Sequence, residues 1–514
     1  MAPVYGDHGY GGGTFVFREG LDPVGETLKS IANRAEPTAL LWRRSIMRDW
    51  QKMNQKQRKE LFRRVSVEDP GLDVIHSNAA GIDVGNASHF VAISPKRDSQ
   101  PVREFRCFTE DLRRLAEWLV SRGIQTVAMQ STGVYWIPLY DILKEHGIEV
   151  FLVNAKYTKN LPGRKTDIQE SQWLLKLHSY GLLSNSFRPP AQILAMRTYW
   201  RLRAEHVREV STTILRMQKA LTQMNIQLAN VISDISGVSG MAIIRAIVAG
   251  ERDPLKLSQL RDRRIQATPE QIAKSLEGNW RRDLLFALSQ QLLNYDHFQK
   301  QIQLCDEQLR FHFQSLPATH RSGQTPGAPS AAKLRTKKRQ KPHGNTPSFD
   351  LAAELKRTLG VDLTLIDGID VMTAQTVASE IGYDVSPWKT EAHFASWLGL
   401  CPDNRISGGT VLSRATRHVV NPLTNALRIA ASTLLRSQSY LGAQYRRLRT
   451  RLGAPKAITA MAHRLARLIY RMLKFGEEYV DKGAQFYENK YAQLQILHLK
   501  KKAARLGLQL TPLQ

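Results

Sequence analysis

The chain has 514 residues, 42% of them hydrophobic, and carries 73 Lys and Arg against 46 Asp and Glu, a formal net charge of +27. That length exceeds one ordinary core, so two or more domains are expected, and so basic a chain attracts polyanions, nucleic acid first, because each neutralised phosphate releases condensed counterions. Three scattered cysteines, Cys107, Cys305 and Cys401, argue against a disulfide framework or a zinc site; no stretch approaches the roughly 20 apolar residues of a membrane span, and the Gly-rich start lacks a signal core, so a cytoplasmic setting is expected.

Residues 1–75 read as an accessory segment, with a basic helical stretch around Leu40 to Val65 and no chemistry of their own. From Ala79 the pattern changes. Ala79 to Ser94 (AAGIDVGNASHFVAIS) predicts strand, tight turn, strand, and Glu104 to Phe108 a third strand. Asp111 to Arg122 places Leu112, Leu115, Trp118 and Leu119 on one helical face. Thr126 to Met129 predicts a short buried strand, Trp136 to His146 a helix ended by Gly147, Ile148 to Val153 another strand, and Thr166 onward a helix. A strand hairpin followed by alternating strands and helices predicts a mixed α/β sheet, the order of a ribonuclease H-like fold.

Val207, Val210, Ile214, Met217, Leu221, Met224 and Leu228 recur at 3, 4, 3, 4, 3, 4, a coiled-coil seam. Leu285, Leu288, Leu292, Tyr295, Phe298, Ile302, Cys305 and Leu309 hold the period less strictly. The two pair as an antiparallel hairpin within one chain, or join protomers. Between them, Ile232 to Ala249 predicts two helices joined at Gly237-Val238, and Leu365 to Ile381 repeats the pattern. Both resemble helix-hairpin-helix elements, whose turn amides meet phosphates; a simple packing hairpin is the alternative. Thr319 to Pro347 is rich in Pro, Gly and Ser, and its run Lys333, Arg335, Lys337, Lys338, Arg339 and Lys341 has no acid between its members, a disordered basic linker able to brush phosphates. A mostly helical domain then runs from about Phe349 to Phe475, and a tail ends in Lys500, Lys501, Lys502 and Arg505.

Asp83 stands in an apolar strand, costly to bury unless paired or bound to a cation. Gly81 and Gly85 flank it and leave room for a phosphate. Asp167 and Glu170 open a helix and share one of its faces. They read as N-terminal charges beside a Thr166 cap, or, together with Asp83, as oxygen ligands of magnesium.

GIDVGNASHFVAI, AMQSTGVYW and NAKYTKNLPGRKTDIQES, in that order and spacing, resemble the insertion-sequence one-ten family of transposases, whose N-terminal domain is RuvC-like with a DEDD acidic tetrad. The resemblance makes Asp83 the first acid, Asp167 the third and Glu170 the fourth. The second falls on Gln130, before Ser131-Thr132-Gly133, which removes one negative charge from the metal site. Phe394 to Arg428 (FASWLGLCPDNRISGGTVLSRATRHVVNPLTNALR) resembles the family's C-terminal domain, with Ser407-Gly408-Gly409 in a loop, Ser407 as nucleophile and Ser413 as rival hydroxyl. Two glycines leave the backbone open to phosphate, and Arg405 and Arg414 flank the serine as phosphate-binding cations. The resemblance covers roughly 79–181 and 363–472.

The resulting expectation is α/β plus all-α: an accessory segment 1–75, a RuvC-like (ribonuclease H-like) domain 76–190, a helical coiled-coil region 191–317, a disordered basic linker 318–348, a C-terminal serine transposase domain 349–475 and a basic helical tail 476–514. The resemblance implies a bacterial, nucleoid-associated enzyme that recombines double-stranded DNA through a phosphoserine intermediate, with Mg2+ at Asp83, Gln130, Asp167 and Glu170. It also implies guidance by a structured bridge RNA and assembly as a homo-oligomer, a tetramer or dimer. A RuvC-like metal-dependent nuclease or resolvase, and an inactive nucleic-acid-binding relic, stand as the alternatives.

Overall fold

The computed structural model describes residues 73–130, 133–154, 166–319, 344–476, 479–509 and 511. Nearly all of the accessory segment, and the basic run with Lys337, Lys338 and Arg339, lie outside the described residues. The chain divides into two compact units, 1–186 and 187–514, meeting in sequence at Ser186 and Phe187. Among the described residues no helix is long and apolar enough to cross a membrane.

The first unit is a five-stranded sheet with helices on both faces. Its strands are β1 (Ala79–Val84), β2 (Ser88–Ile93), β3 (Val102–Arg106), β4 (Thr126–Gln130) and β5 (Glu149–Val153), in spatial order β3-β2-β1-β4-β5. β1, β2 and β3 pair antiparallel, as a meander joined by short turns must. β4 and β5 add in parallel, and each arrives through a helix: α1 (Thr109–Ser121) and α2 (Trp136–Glu145). This mixed sheet is the expected ribonuclease H-like order. Ala80, Ile82 and Val84 of β1 point to one face, where Leu112, Leu115 and Leu119 of α1 and Leu139 and Leu143 of α2 close the core. The opposite face of β1 and β4 carries α3 (Asp167–Ser179).

The second unit is helical. α4 (Ala191–Gln223) is followed by the short α5 (Val238–Ala249), α6 (Pro254–Ser258) and α7 (Pro269–Ser275), and α8 (Arg282–Ser315) returns along α4. Ring contacts pair Tyr199 with His312 and His206 with Phe298, so the two long helices run antiparallel within one chain. The predicted seam is shorter than its period suggests. α4 ends at Gln223, and the chain turns at Asn225, which has φ 58°. Met224 and Leu228 therefore pack in a small lobe with Ile226, Ile235, Ile243, Ile244, Leu288 and Leu292. The expected helix pair at Ile232–Ala249 is one helix, α5, because Gly237 serves as its N-cap and only a 3-10 turn (Leu228–Asn230) precedes it.

The C-terminal part holds α9 (Leu351–Leu359), α10 (Val371–Ile381), α11 (Glu391–Trp397), the hairpin β6 (Arg405–Ser407) and β7 (Thr410–Ser413), then α12 (Pro422–Thr433), α13 (Tyr440–Leu452), α14 (Ala454–Phe475) and α15 (Gly483–Arg505). Met196 and Trp200 of α4 and Leu309 and Phe313 of α8 share one core with Leu355, Phe394, Leu427, Leu465 and Ile469. The helical region and the following domain are thus built on a common base. The second helix-hairpin-helix-like string, Leu365 to Ile381, is likewise one helix, α10, preceded by a 3-10 turn (Leu363–Leu365). Asp370 caps α10 by accepting from the Thr373 backbone N–H at 2.7 Å, which places an acid where a phosphate would approach.

Candidate functional site

α3 lies antiparallel to β4, and the match of pitches sets the site. Thr126 meets His178, Ala128 packs with Leu174, and Gln130 meets Glu170. Two residues along a strand advance about 6.6 Å and four along a helix about 6 Å, so each inward strand residue finds one turn of α3. At the far end the Thr126 hydroxyl lies 2.9 Å from His178 Nε2, and the His76 ring stacks on His178 at 4.7 Å. Burial, and then His76, push the His178 imidazole down to about 4, so it packs as a neutral ring.

At the near end stand the predicted acids. Asp83 is half-buried on β1, directly beside Gln130 in the parallel register, on the face that carries α3. The Gln130 Nε2–H donates to Glu170 Oε2 at 3.4 Å. Thr166 caps α3 by accepting from the Gln169 backbone N–H at 3.3 Å, and Asp167 and Glu170 occupy the first turn, where the helix dipole favours anions. Asp167 points into solvent. The capping that the sequence offered as one reading is present in this turn. Ser131 and Thr132 lie outside the described residues.

Gly81 has a different role from the one its position suggests. A Cβ there would lie 2.2 Å from the Leu175 backbone nitrogen and 2.3 Å from the Ser171 carbonyl oxygen. Its missing side chain admits α3 onto β1 rather than a phosphate, and that approach brings the α3 acids to the strand ends. At Gly85 a Cβ would meet the Ser88 carbonyl oxygen at 2.6 Å, so this glycine serves the β1–β2 turn.

The oxygens of Asp83, Gln130 and Glu170 are hard donors of the kind a divalent cation takes. Among the described residues, however, no group of three or more His, Cys, Asp or Glu side chains is gathered to hold a metal ion. The donor set fits such an ion by chemistry, with the amide of Gln130 standing between the carboxylates. Replacing Gln130→Glu sets a buried carboxylate against the half-buried Glu170. Without divalent ions we expect the sheet unit to lose about 1–3 kcal/mol, the scale of an unsatisfied buried polar group, and millimolar Mg2+ to restore most of it. Thermal melts with Mg2+ and with EDTA check this; a larger Mg2+ effect in the wild type than in Gln130→Glu would reverse the reading.

The serine lies in the second unit. The sequence places Ser407 in an open loop; the structure makes it the last residue of β6. Gly408 and Gly409, with φ 53° and 78°, form the two-residue turn, a conformation glycine adopts without steric cost. Neither glycine has any atom within 4 Å of where a Cβ would stand, so the tip is open. Ser407 is half-buried and faces Thr410 across the ribbon, while Arg405 pairs with Ser413. Arg405 and Arg414 are both exposed at the hairpin's open end. The Ser413 hydroxyl accepts from the Ala415 backbone N–H at 3.2 Å, which ties that rival hydroxyl into its own turn. The hairpin base is fastened by the Asp403 backbone N–H donating to the Ala415 carbonyl at 2.8 Å and by Arg417 donating to the Ser396 carbonyl at 2.5 Å. Sequence reasoning missed Arg417, Ser396 and the His76–His178–Thr126 cluster, because each acts through a partner distant in the chain.

Comparison with known families fits this layout. Residues 80–226 match the DEDD transposase domain of IS110 elements, a span that holds Asp83, Gln130, Asp167 and Glu170. Residues 362–446 match the transposase domain of the IS116/IS110/IS902 family, a span that holds the Ser407 hairpin. No curated protein matches the chain. The chain thus carries two domains that match transposase models, its enzyme activity is that of a transposase or recombinase, DNA is its partner, and the match to a DEDD domain suggests a divalent-metal requirement.

Proposed function

We propose that the protein is the transposase of an insertion sequence that cuts and rejoins double-stranded DNA through a covalent phosphoserine at Ser407. In this reading Asp83, Gln130, Asp167 and Glu170 form the magnesium site. The observation that most supports it is the Gln130–Glu170 hydrogen bond at the strand ends, with Asp83 the next residue across the sheet. Those three tetrad positions come from segments far apart in sequence.

The Ser407 hydroxyl gives up its proton as Oγ bonds to phosphorus, and the bond from phosphorus to one deoxyribose oxygen breaks, leaving a hydroxyl on that DNA end. The hydroxyl of an incoming strand then attacks the same phosphorus and returns the serine. One phosphodiester replaces another, so no ATP is needed. In this reading Arg405 and Arg414 supply the positive charge that stabilises the pentavalent phosphorus. Magnesium, when bound, supplies Lewis-acid polarisation of phosphate oxygens. The family resemblance adds a structured bridge RNA and a homo-oligomer, tetramer or dimer. The net charge of +27 and the paired long helices suit a protein holding RNA as well as DNA.

Ser407→Ala is expected to abolish both the covalent protein–DNA species on denaturing gels and strand transfer, while DNA affinity stays within about twofold, because no phosphate-binding cation is removed. Hydrolysed ends formed at full rate by Ser407→Ala would instead identify a metal-dependent nuclease.

A further inference from the structure

The β6–β7 hairpin has its apolar side chains on the outside. Ile406 is 61% exposed and Leu412 65%, with Val411 at 38%. Ile406 pairs with Val411, and a register shift beside Arg405 leaves Leu412 as an extra residue on its strand. Alternation along the ribbon puts Arg405 and Ser407 on one face and Ile406 on the other. One face therefore carries a guanidinium and hydroxyls, and the other carries bare aliphatic groups, at the open tip described above. A hairpin serving only as a connection would turn this apolar face inward. Charge complementarity selects the occupant: from Pro402 to Val420 the chain has Arg405, Arg414 and Arg417 and a single acid, Asp403.

We propose that this ribbon is a DNA wedge. Its polar face follows the sugar–phosphate backbone, and Ile406 and Leu412 press on the bases of the step next to the phosphate presented to Ser407. β-ribbons enter the grooves of duplex DNA, the minor groove included, and Leu and Ile are among the apolar wedges that minor-groove proteins insert between base steps to unstack them. The wedge deepens the phosphoserine reading: consecutive residues would hold the phosphate and open the adjacent step.

The test places p-benzoylphenylalanine at position 406 or 412 of the full chain, expressed with a plasmid carrying the gene and its flanking DNA. Ultraviolet light is expected to link these positions to DNA, well above the same substitution at Phe108, which is 64% exposed in the other unit. Linkage only to a second copy of the chain, linkage only to RNA, or no linkage overturns the wedge. Ile406→Ser with Leu412→Ser is expected to lower strand transfer about tenfold to a hundredfold, the scale of losing a few kcal/mol of base-step contact, without changing the sedimentation of the protein; an unchanged rate overturns it as well. The phosphoserine reading fails separately. If Ser407→Ala still transfers strands while position 406 still links to DNA, the serine's role is lost and the wedge stands.

Discussion

Gly81→Ala is expected to lift α3 from the sheet and abolish strand transfer, although Gly81 bears no chemistry. The added Cβ would stand 2.2 Å from the Leu175 nitrogen and 2.3 Å from the Ser171 oxygen. Both are backbone atoms of one helix, so no side-chain rotation relieves the overlap; the helix must move as a body. Overpacking against atoms that can yield costs 1–3 kcal/mol, and here about 3 kcal/mol or more is expected. The displaced α3 carries Asp167 and Glu170 with it, so the Gln130–Glu170 contact is lost in the same step. Gly147→Ala is the control. Gly147 has φ 75° with nothing within 4 Å of its Cβ position, so only left-handed strain of about 1–2 kcal/mol applies and activity persists. Scanning calorimetry with proteolysis within α3 reads both variants. A Gly81→Ala protein with the wild-type melt and activity would mean that α3 does not sit on β1 this closely.

Asp306→Ala is expected to destabilise the helical unit by about 3–5 kcal/mol, because it leaves a guanidinium buried without its anion. Arg203 on α4 and Asp306 on α8 are only 2% and 4% exposed, with Nε to Oδ1 at 2.5 Å. The same carboxylate accepts the Ser348 backbone N–H at 3.3 Å. Arginine does not neutralise itself by losing a proton, so the variant has no cheap escape. Arg203→Met combined with Asp306→Leu is expected to restore the stability, since a buried ion pair contributes little over well-packed apolar groups. Urea unfolding of the single and double variants decides it. A single-variant loss below about 1 kcal/mol would show the pair to be screened like a surface salt bridge.

Much of the first unit was legible because its signals are local. β1, β2, β4 and β5 follow apolar runs with turn residues between them, and α1 shows a clean face of Leu112, Leu115, Trp118 and Leu119. β3, VREFR, is not such a run and lies two residues before the expected Glu104–Phe108, because Phe108 already opens α1. Asp83, Asp167 and Glu170 were legible from motif order. The Gln130–Glu170 contact was not, because it depends on Gly81 admitting α3, a contact between segments about ninety residues apart. The Ser407 turn was misread as a loop although Gly-Gly between alternating residues is a hairpin signal; motif recognition displaced the strand reading. The coiled-coil period overran the true helix end, since Met224 and Leu228 are buried for the lobe's sake and periodicity cannot tell one core from another. The Arg203–Asp306 pair left no trace in sequence, as two charges 103 positions apart have no local pattern.

The paired helices α4 and α8 are anchored in a different core at each end, one around Trp200 and Phe313 and the other around Met217 and Leu292. Some seventeen residues separate the anchors on α4, about 25 Å of helix. Such a rod works as a stiff crank: a tilt of roughly 5° at one anchor carries the other about 2 Å. Whatever the distal lobe grips is thereby geared to the body that carries the serine, and a load on one is felt by the other without any change of fold in between.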